Sequence, residues 1–239
     1  MPRFLTAEWR NLVMLNYEID AARLLPFLPG GVEVDAWNGQ YFISVVGFQF
    51  LRTRVLGVPV PFHCNFVEVN LRFYVRRRAH DGWRRGVVFV RELVPRWAIA
   101  FVARRVYNEN YLSCRMSHEV RLPESGQTGL VRYGWAGGHA VMAEFSGLPE
   151  SAPPGSEEEF ITEHYWGYAR QRDGGTVEYR VEHPSWRVWR ATTARLEGNV
   201  PAFYGNGFQE ALRQPPSSAF IADGSAILVQ RGVRLDGPG

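Results

Sequence analysis

The sequence predicts a mostly β chain with a few short helices, arranged as an antiparallel barrel or sandwich. Three observations carry that expectation. Short runs rich in Val, Ile, Phe, Tyr and Trp recur along the chain, divided by Gly-, Pro- and Asp-containing turns. Helix signals are few and brief. Strand and helix do not alternate regularly, which argues against a doubly wound parallel sheet.

Trp9 to Tyr17 reads as the first strand. Asp20 is an N-cap for a short helix over Ala21 to Phe27, ended by Pro29-Gly30-Gly31. Tyr41 to Leu51 is strand-like, and Leu56 to Phe62, with two prolines, is a loop or edge. Phe66 to Arg76 alternates strictly. Gly86 to Val94 is a strand ended by Pro95, and Trp97 to Tyr107 reads as a helix. Leu112 to Leu122, Gly129 to Trp135 and His139 to Phe145 are further strands. Ser146 to Gly155 is a proline-rich loop. Ser156 to Glu159 forms a capping box that starts a helix through Thr162. His164 to Gln171 and Thr176 to Glu182 flank Asp173-Gly174-Gly175, a hairpin signal. Trp186 to Leu196 is a strand, Ala202 to Arg213 is helical, and Ile227 to Leu235 is the last strand. All 239 residues are read as a single domain.

Composition narrows the chemistry. All 27 Lys+Arg residues are Arg. A guanidinium stays protonated and binds anions, so no side chain here can form a Schiff base. The net charge of +3 is spread among interspersed acids. The one basic cluster, Arg76, Arg77, Arg78, Arg84 and Arg85, flanks a turn at His80-Asp81-Gly82 and reads as a solvated hairpin tip. Nucleic-acid binding would want a broader stripe. Two cysteines cannot hold a zinc ion alone, and no apolar run reaches membrane-spanning length. The N-terminus carries no signal-peptide pattern, so a cytoplasmic protein with reduced thiols is expected. No P-loop, dinucleotide fingerprint, HExxH or GxSxG is present, and no cofactor or metal is expected.

The strand from Phe66 is the sharpest local feature. One face carries Val67, Val69, Leu71, Phe73 and Val75. The other carries Phe66, Glu68, Asn70, Arg72 and Tyr74. Two readings are open: a sheet with one wet face, or a polar cavity wall. Arg91 and Glu92 must point to opposite faces of an apolar strand, so at least one is buried and paired or lines a pocket. Tyr107 and Asn108 close the predicted helix, as cap or as site. Glu163-His164-Tyr165-Trp166-Gly167-Tyr168 packs His, Glu and aromatics into six positions, either as core filling or as the lining of a site for a planar or carboxylate ligand. His63, His118, His139 and His183 are scattered, with no helical metal spacing.

Several segments together resemble the bacterial YqjF-like family of unknown function. They are W-R-N-L-V-M-L-N-Y-E-I-D (Trp9 to Asp20), V-P-F-H (Val60 to His63), E-V-N-L-R-F-Y-V (Glu68 to Val75), V-R-E-L-V-P (Val90 to Pro95), Y-N-E-N-Y (Tyr107 to Tyr111), E-H-Y-W-G-Y (Glu163 to Tyr168) and H-P-S-W-R-V-W (His183 to Trp189). That family is more distantly similar to acetoacetate decarboxylase. The resemblance implies a closed, mostly antiparallel β-barrel with a central cavity, and a tendency to form homo-oligomers. It also implies that Arg10 is the counterpart of a carboxylate-binding arginine. In the decarboxylase a pair of lysines follows the Arg-Glu strand and one forms the imine, whereas Leu93 to Tyr111 contains no lysine here.

The expected function is therefore a cavity that binds a small organic acid or carbonyl compound, with general acid–base catalysis if it is an enzyme. Arg72 and Arg91 are the expected anion partners, and Glu92, Glu163 and His164 the acid–base groups. Arg10, His63, Glu68, Asn70, Tyr107, Asn108, His118, Tyr165 and Trp166 complete the expected ligand contacts. A non-catalytic binding or sensing module is the rival reading.

Overall fold

A computed structural model describes residues 3–59, 61–95, 110–124 and 127–235. They form a mostly β structure with a few short helices. The expected helix from Trp97 to Tyr107 lies outside the described residues.

The first long strand, β1 (Arg3–Glu18), is flanked by β3 (Phe42–Val55) and β15 (Ser218–Gln230), so segments more than 200 residues apart pair directly. Next to β3 comes β5 (Phe66–Ala79), then β6 (Gly82–Val94), joined to β5 by a tight turn after Ala79. The short strands β2 (Glu33–Val34) and β4 (Val58–Pro59) lie on β5 and β3. A hairpin of β12 (Trp166–Arg170) and β13 (Thr176–Glu182) pairs with β6 in parallel on one side and with β15 on the other. The pairings β13–β12–β6–β5–β3–β1–β15–β13 therefore return to their starting strand.

A second run extends the sheet from β15. It comprises β14 (Arg187–Glu197), β10 (His139–Phe145), β9 (Gly129–Trp135) and β8 (Met116–Arg121). It folds back over the outer face of β1, β3 and β5, where the Tyr133 hydroxyl donates to the Asn11 carbonyl at 2.9 Å. The strands β7 (Tyr111–Ser113), β11 (Glu150–Ser151) and β16 (Val233–Arg234) lie on β6, β14 and β13.

Strand alternation sorts the side chains into two apolar clusters. Val13, Leu15, Ile43, Val45, Val69, Leu71 and Phe73 pack outward against Tyr133, Val141 and Phe208. Leu12, Met14, Val46, Phe48, Phe50 and Tyr74 face the opposite way, with Phe160, Tyr179 and Trp186. The strictly alternating strand thus has both faces covered: its apolar row is core, and its polar row faces the other cluster.

Several boundaries differ from expectation, each for a local reason. Asp20 caps as expected, with its carboxylate accepting from the Ala22 N–H at 2.9 Å, but Pro26 restricts the segment after the cap to two 3₁₀ turns, Ala21–Arg23 and Leu25–Phe27. Leu112 to Leu122 is broken into β7 and β8. The expected helix at Ala202 is two: α2 (Val200–Tyr204) and α3 (Asn206–Arg213), divided at Gly205, whose φ of 86° is left-handed. The expected last strand, Ile227 to Leu235, is divided: Ile227 to Gln230 end β15, which begins at Ser218, and β16 follows at Val233–Arg234. The capping box holds at α1 (Glu157–Thr162): Ser156 Oγ accepts from the Glu159 N–H, while the Glu159 carboxylate reaches Gly155 N–H rather than its own cap residue.

The arginine-flanked turn is only partly solvated. Arg77 and Arg84 reach inward to the buried Glu178 at 3.3 and 2.5 Å, and Arg85 binds the buried Asp35 at 2.7 Å. Both buried carboxylates are thus compensated by guanidinium groups.

Gly167 lies mid-strand in β12, and a Cβ there would overlap the Tyr179 ring of the adjoining strand. Gly167→Ala is expected to destabilise the protein by about 1–3 kcal/mol, the usual cost of overpacking. Chemical denaturation would measure it, and a loss below about 0.5 kcal/mol would mean that Tyr179 moves aside freely.

Candidate functional site

The inward cluster does not fill its space. It surrounds a cavity of about 220 Å³. Its wall is mainly apolar and aromatic, from Trp9, Phe48, Phe50, Phe66, Phe89 and Trp186. The polar groups are few: Glu68, Asn70, Arg72, Glu92, Thr53, Thr162, Tyr111 and the histidines His63, His164 and His183. A largely apolar pocket with a few convergent polar groups is the usual form of a small-molecule site.

Strand β5 supplies the polar row because successive inward positions are two residues apart. Glu68 Oε1 accepts from Asn70 Nδ2 at 3.0 Å, and Oε2 accepts from the Tyr111 hydroxyl at 3.5 Å. Asn70 faces Glu92 across the β5–β6 ladder. Glu68 and Glu92 are each only 2% exposed. Two carboxylates thus share one wall with a neutral amide between them.

Glu92 reaches that wall through a β-bulge. Leu71 pairs with Arg91 but Arg72 pairs with Phe89, so Val90 is an extra residue in β6. Val87 and Phe89 point into the cavity. After the bulge the phase is reversed, so Glu92 points in and Arg91 points out. Arg91 instead donates to the Phe203 carbonyl at 2.9 Å and sits over the Phe203 ring.

Arg72 is the cation of the cavity. It is 9% exposed. Its Nη2 donates to the Ile161 carbonyl at 3.3 Å, while its buried Nε meets no acceptor. Among the described residues no carboxylate lies within salt-bridge distance of it. Its guanidinium lies 5.5 Å from the Tyr74 ring centre.

His164 sits behind that ring, enclosed by Tyr74 and Phe160 with centroids 4.8 and 4.9 Å away. Its side chain is 1% exposed, and its Nε2 lies 3.3 Å from Asp35 Oδ2. Burial lowers its pKa to about 4, against the opposing hydrogen bond to Asp35, and the Arg85 and Arg72 charges add to the lowering. The ring is therefore neutral at pH 7. Since an ionised carboxylate only accepts, Nε2 carries the proton. Burial works against ionisation of Asp35, but the hydrogen bonds from His164 and Arg85 outweigh it and hold its carboxyl below the ordinary range.

Of the residues expected from sequence, the structure brings His63, Glu68, Asn70, Arg72, Glu92, His164 and Trp166 onto one cavity. Others lie elsewhere. Arg10 is held on the outside by Glu8 at 3.0 Å and by the Gly224 carbonyl. His118 is exposed on β8, against Tyr133. Glu163 and Tyr165 hydrogen-bond each other just off the wall, because the chain turns between α1 and β12 there. Tyr107 and Asn108 lie outside the described residues. Sequence reasoning missed Trp9, Thr53, Tyr111, Tyr179, His183 and Trp186. His183 and Trp186 carried a signal, an aromatic-rich H-P-S-W segment immediately before a strand. Trp9 and Tyr179 looked like ordinary strand residues, Thr53 lay beyond the predicted strand, and Tyr111 stood in the Y-N-E-N-Y segment that closes the predicted helix.

Among the described residues no cluster of three or more His, Cys, Asp or Glu side chains could hold a metal ion. No described helix is long and apolar enough to cross a membrane.

Comparison with solved structures supports the fold. The enduracididine biosynthesis enzyme MppR, complexed with pyruvate, superposes with a TM-score of 0.70 at 13% identity, covering 99% of this chain and 92% of that one. Acetoacetate decarboxylase from Legionella pneumophila gives 0.69 at 11% identity, covering 99% and 88%. An acetoacetate decarboxylase-like enzyme from Sphingomonas wittichii RW1 gives 0.64 at 14% identity, covering 100% and 95%. At such identities the likeness is one of fold. The uncharacterized protein YqjF of Bacillus subtilis is 32% identical over 75 residues, a stretch spanning 31% of each chain. Residues 6–226 match the model of DUF2071, described as an uncharacterized conserved protein, and the chain belongs to that family.

Proposed function

We propose that the chain is one domain, a closed barrel whose cavity binds a small organic acid or carbonyl compound. The returning order of strand pairings, which runs through the direct pairing of β1 with β15, supports the barrel. The single observation that carries the binding reading is Arg72. A buried guanidinium without a carboxylate partner among the described residues is costly beside mainly apolar walls. A ligand carboxylate removes that cost and satisfies the planar donor fork.

The proposed chemistry is acid–base. Glu92 and Glu68 are the candidate proton-transfer groups, because both stand on the same wall as Arg72. His164 belongs to the wall as the partner of Asp35, and its neutral ring is a weak base. No side chain can form an imine, because the sequence has no lysine, and the N-terminal amine is the one amine left.

A thermal-shift screen of small mono- and dicarboxylates tests the binding reading, and turnover of the hits by NMR tests the catalytic one. At least one carboxylate should raise Tm in a concentration-dependent way. Failure of every acid to do so would sink the proposal. Binding with no turnover would assign the cavity to a non-catalytic binding module. Borohydride with a keto acid should label no internal residue; an internal adduct mapped by mass spectrometry would refute the absence of imine chemistry.

A further inference from the structure

The cavity wall changes character along its length. Arg72 stands at one end of the inward row of β5 and Phe66 at the other. Phe66 stacks on Phe50 with centroids 4.5 Å apart. Trp9 packs edge-on against Phe48, Phe50 and Trp186 at 5.2, 5.7 and 6.3 Å. Phe48 faces Glu68 across the ladder. The aromatic end therefore starts four residues from Arg72, on the order of 13 Å along a strand.

His183 adjoins Trp186 on the same wall. Its ring lies flat on Trp186, with centroids 4.1 Å apart and planes 15° apart. Its Nδ1 lies 2.9 Å from the Pro184 carbonyl. A carbonyl only accepts, so Nδ1 carries the proton and Nε2 is the bare nitrogen. No hydrogen bond from a described residue engages Nε2. Burial lowers the His183 pKa, the Pro184 hydrogen bond and Glu163 oppose that, and the Arg72 charge reinforces it.

Size then selects among acids. An apolar cavity of about 150 Å³ holds a benzene ring. A cavity of about 220 Å³ takes a ring plus a short carboxylate chain. A three- or four-carbon acid seated on Arg72 would leave the Trp9 and Phe48 wall against water, forgoing roughly 25 cal/mol for each Å² left uncovered.

We propose that the ligand is an aryl-bearing carboxylic acid: its carboxylate on Arg72, its ring among Trp9, Phe48 and Trp186, and a hydroxyl on the linking carbons donating to His183 Nε2. This rests on the carboxylate-binding reading of the same cavity. It adds the ligand class and a binding residue, His183.

The test is titration calorimetry of the full chain with propionate, lactate, 3-phenylpropionate and 3-phenyllactate. Each phenyl acid should bind at least about tenfold more tightly than its aliphatic counterpart. Phenyllactate should exceed phenylpropionate by about fivefold, the contribution of one hydrogen bond. His183→Phe keeps a ring on Trp186 and should level the phenyl pair. In the wild-type chain, ¹⁵N spectra should show the bare His183 nitrogen shifting with phenyllactate and not with phenylpropionate, a readout that stands even where the variant does not fold. Equal affinity for aryl and aliphatic acids would overturn the aryl class and leave the role of Arg72 standing. A hydroxyl preference that persists in His183→Phe, or that leaves the His183 nitrogen unmoved, would remove His183 from the site. Absence of binding by all four acids would overturn this proposal, and failure of every acid in the wider screen as well would overturn the reading it rests on.

Discussion

Arg72→Met is expected to abolish carboxylate binding while leaving the fold intact. Two charge-assisted hydrogen bonds from a guanidinium to a carboxylate contribute about 3 kcal/mol together, on the order of a hundredfold in Kd. Methionine fills similar space against Met14 and Ile161, the present neighbours of the guanidinium. Loss of the Ile161 hydrogen bond and relief of a buried charge oppose each other, so stability should change by no more than about 1 kcal/mol. Arg72→Lys keeps the charge but not the fork, and should fall between wild type and the Met variant. Calorimetric titration with the best acid from the screen measures both. A Met variant that binds within threefold of wild type would show that the carboxylate is held elsewhere.

Acid is expected to destabilise the protein before ordinary carboxylates titrate. His164 has a folded pKa of about 4 against a reference value of 6.5. Between those values the unfolded chain takes up a proton that the folded chain refuses. Stability is therefore full above pH 6.5 and falls as pH drops toward 4, by about 3 kcal/mol from this group. His183 has a lowered pKa and acts in the same direction. Asp35, also lowered, continues the loss as its carboxylate is protonated at still lower pH. Denaturant melts across pH 4 to 7 should show this slope, and His164→Gln should flatten most of it. An unchanged slope in that variant would place the titrating group elsewhere. His164→Ala should cost about 2–4 kcal/mol at pH 7, since it leaves a void between Tyr74 and Phe160 and removes a hydrogen bond from buried Asp35.

These expectations depend on features of unequal legibility in the sequence. The alternation of Phe66 to Tyr74 determined which residues share a face, because a strand has a period of two whatever surrounds it. The absence of lysine determined that no side chain can form an imine, because composition alone limits the side-chain nucleophiles. The cap at Ser156 and the turn at Gly174 were likewise local, resting on side-chain and backbone preferences within a few residues. The sequence alone left open whether the polar face met water or a cavity. That is decided by β12, β13 and β15, which cover it from positions up to about 160 residues away. Only the tertiary structure kept Glu92 on the wall and turned Arg91 away from it, because the bulge at Val90 is a property of how β6 pairs with β5. Only it paired His164 with Asp35, 129 residues apart, and enclosed the ring between Tyr74 and Phe160, and that burial turned a predicted acid–base group into a neutral ring. Local chemistry fixes periodicity and caps. Long-range pairing fixes which charges are desolvated, and desolvation sets the behaviour of Arg72 and His164.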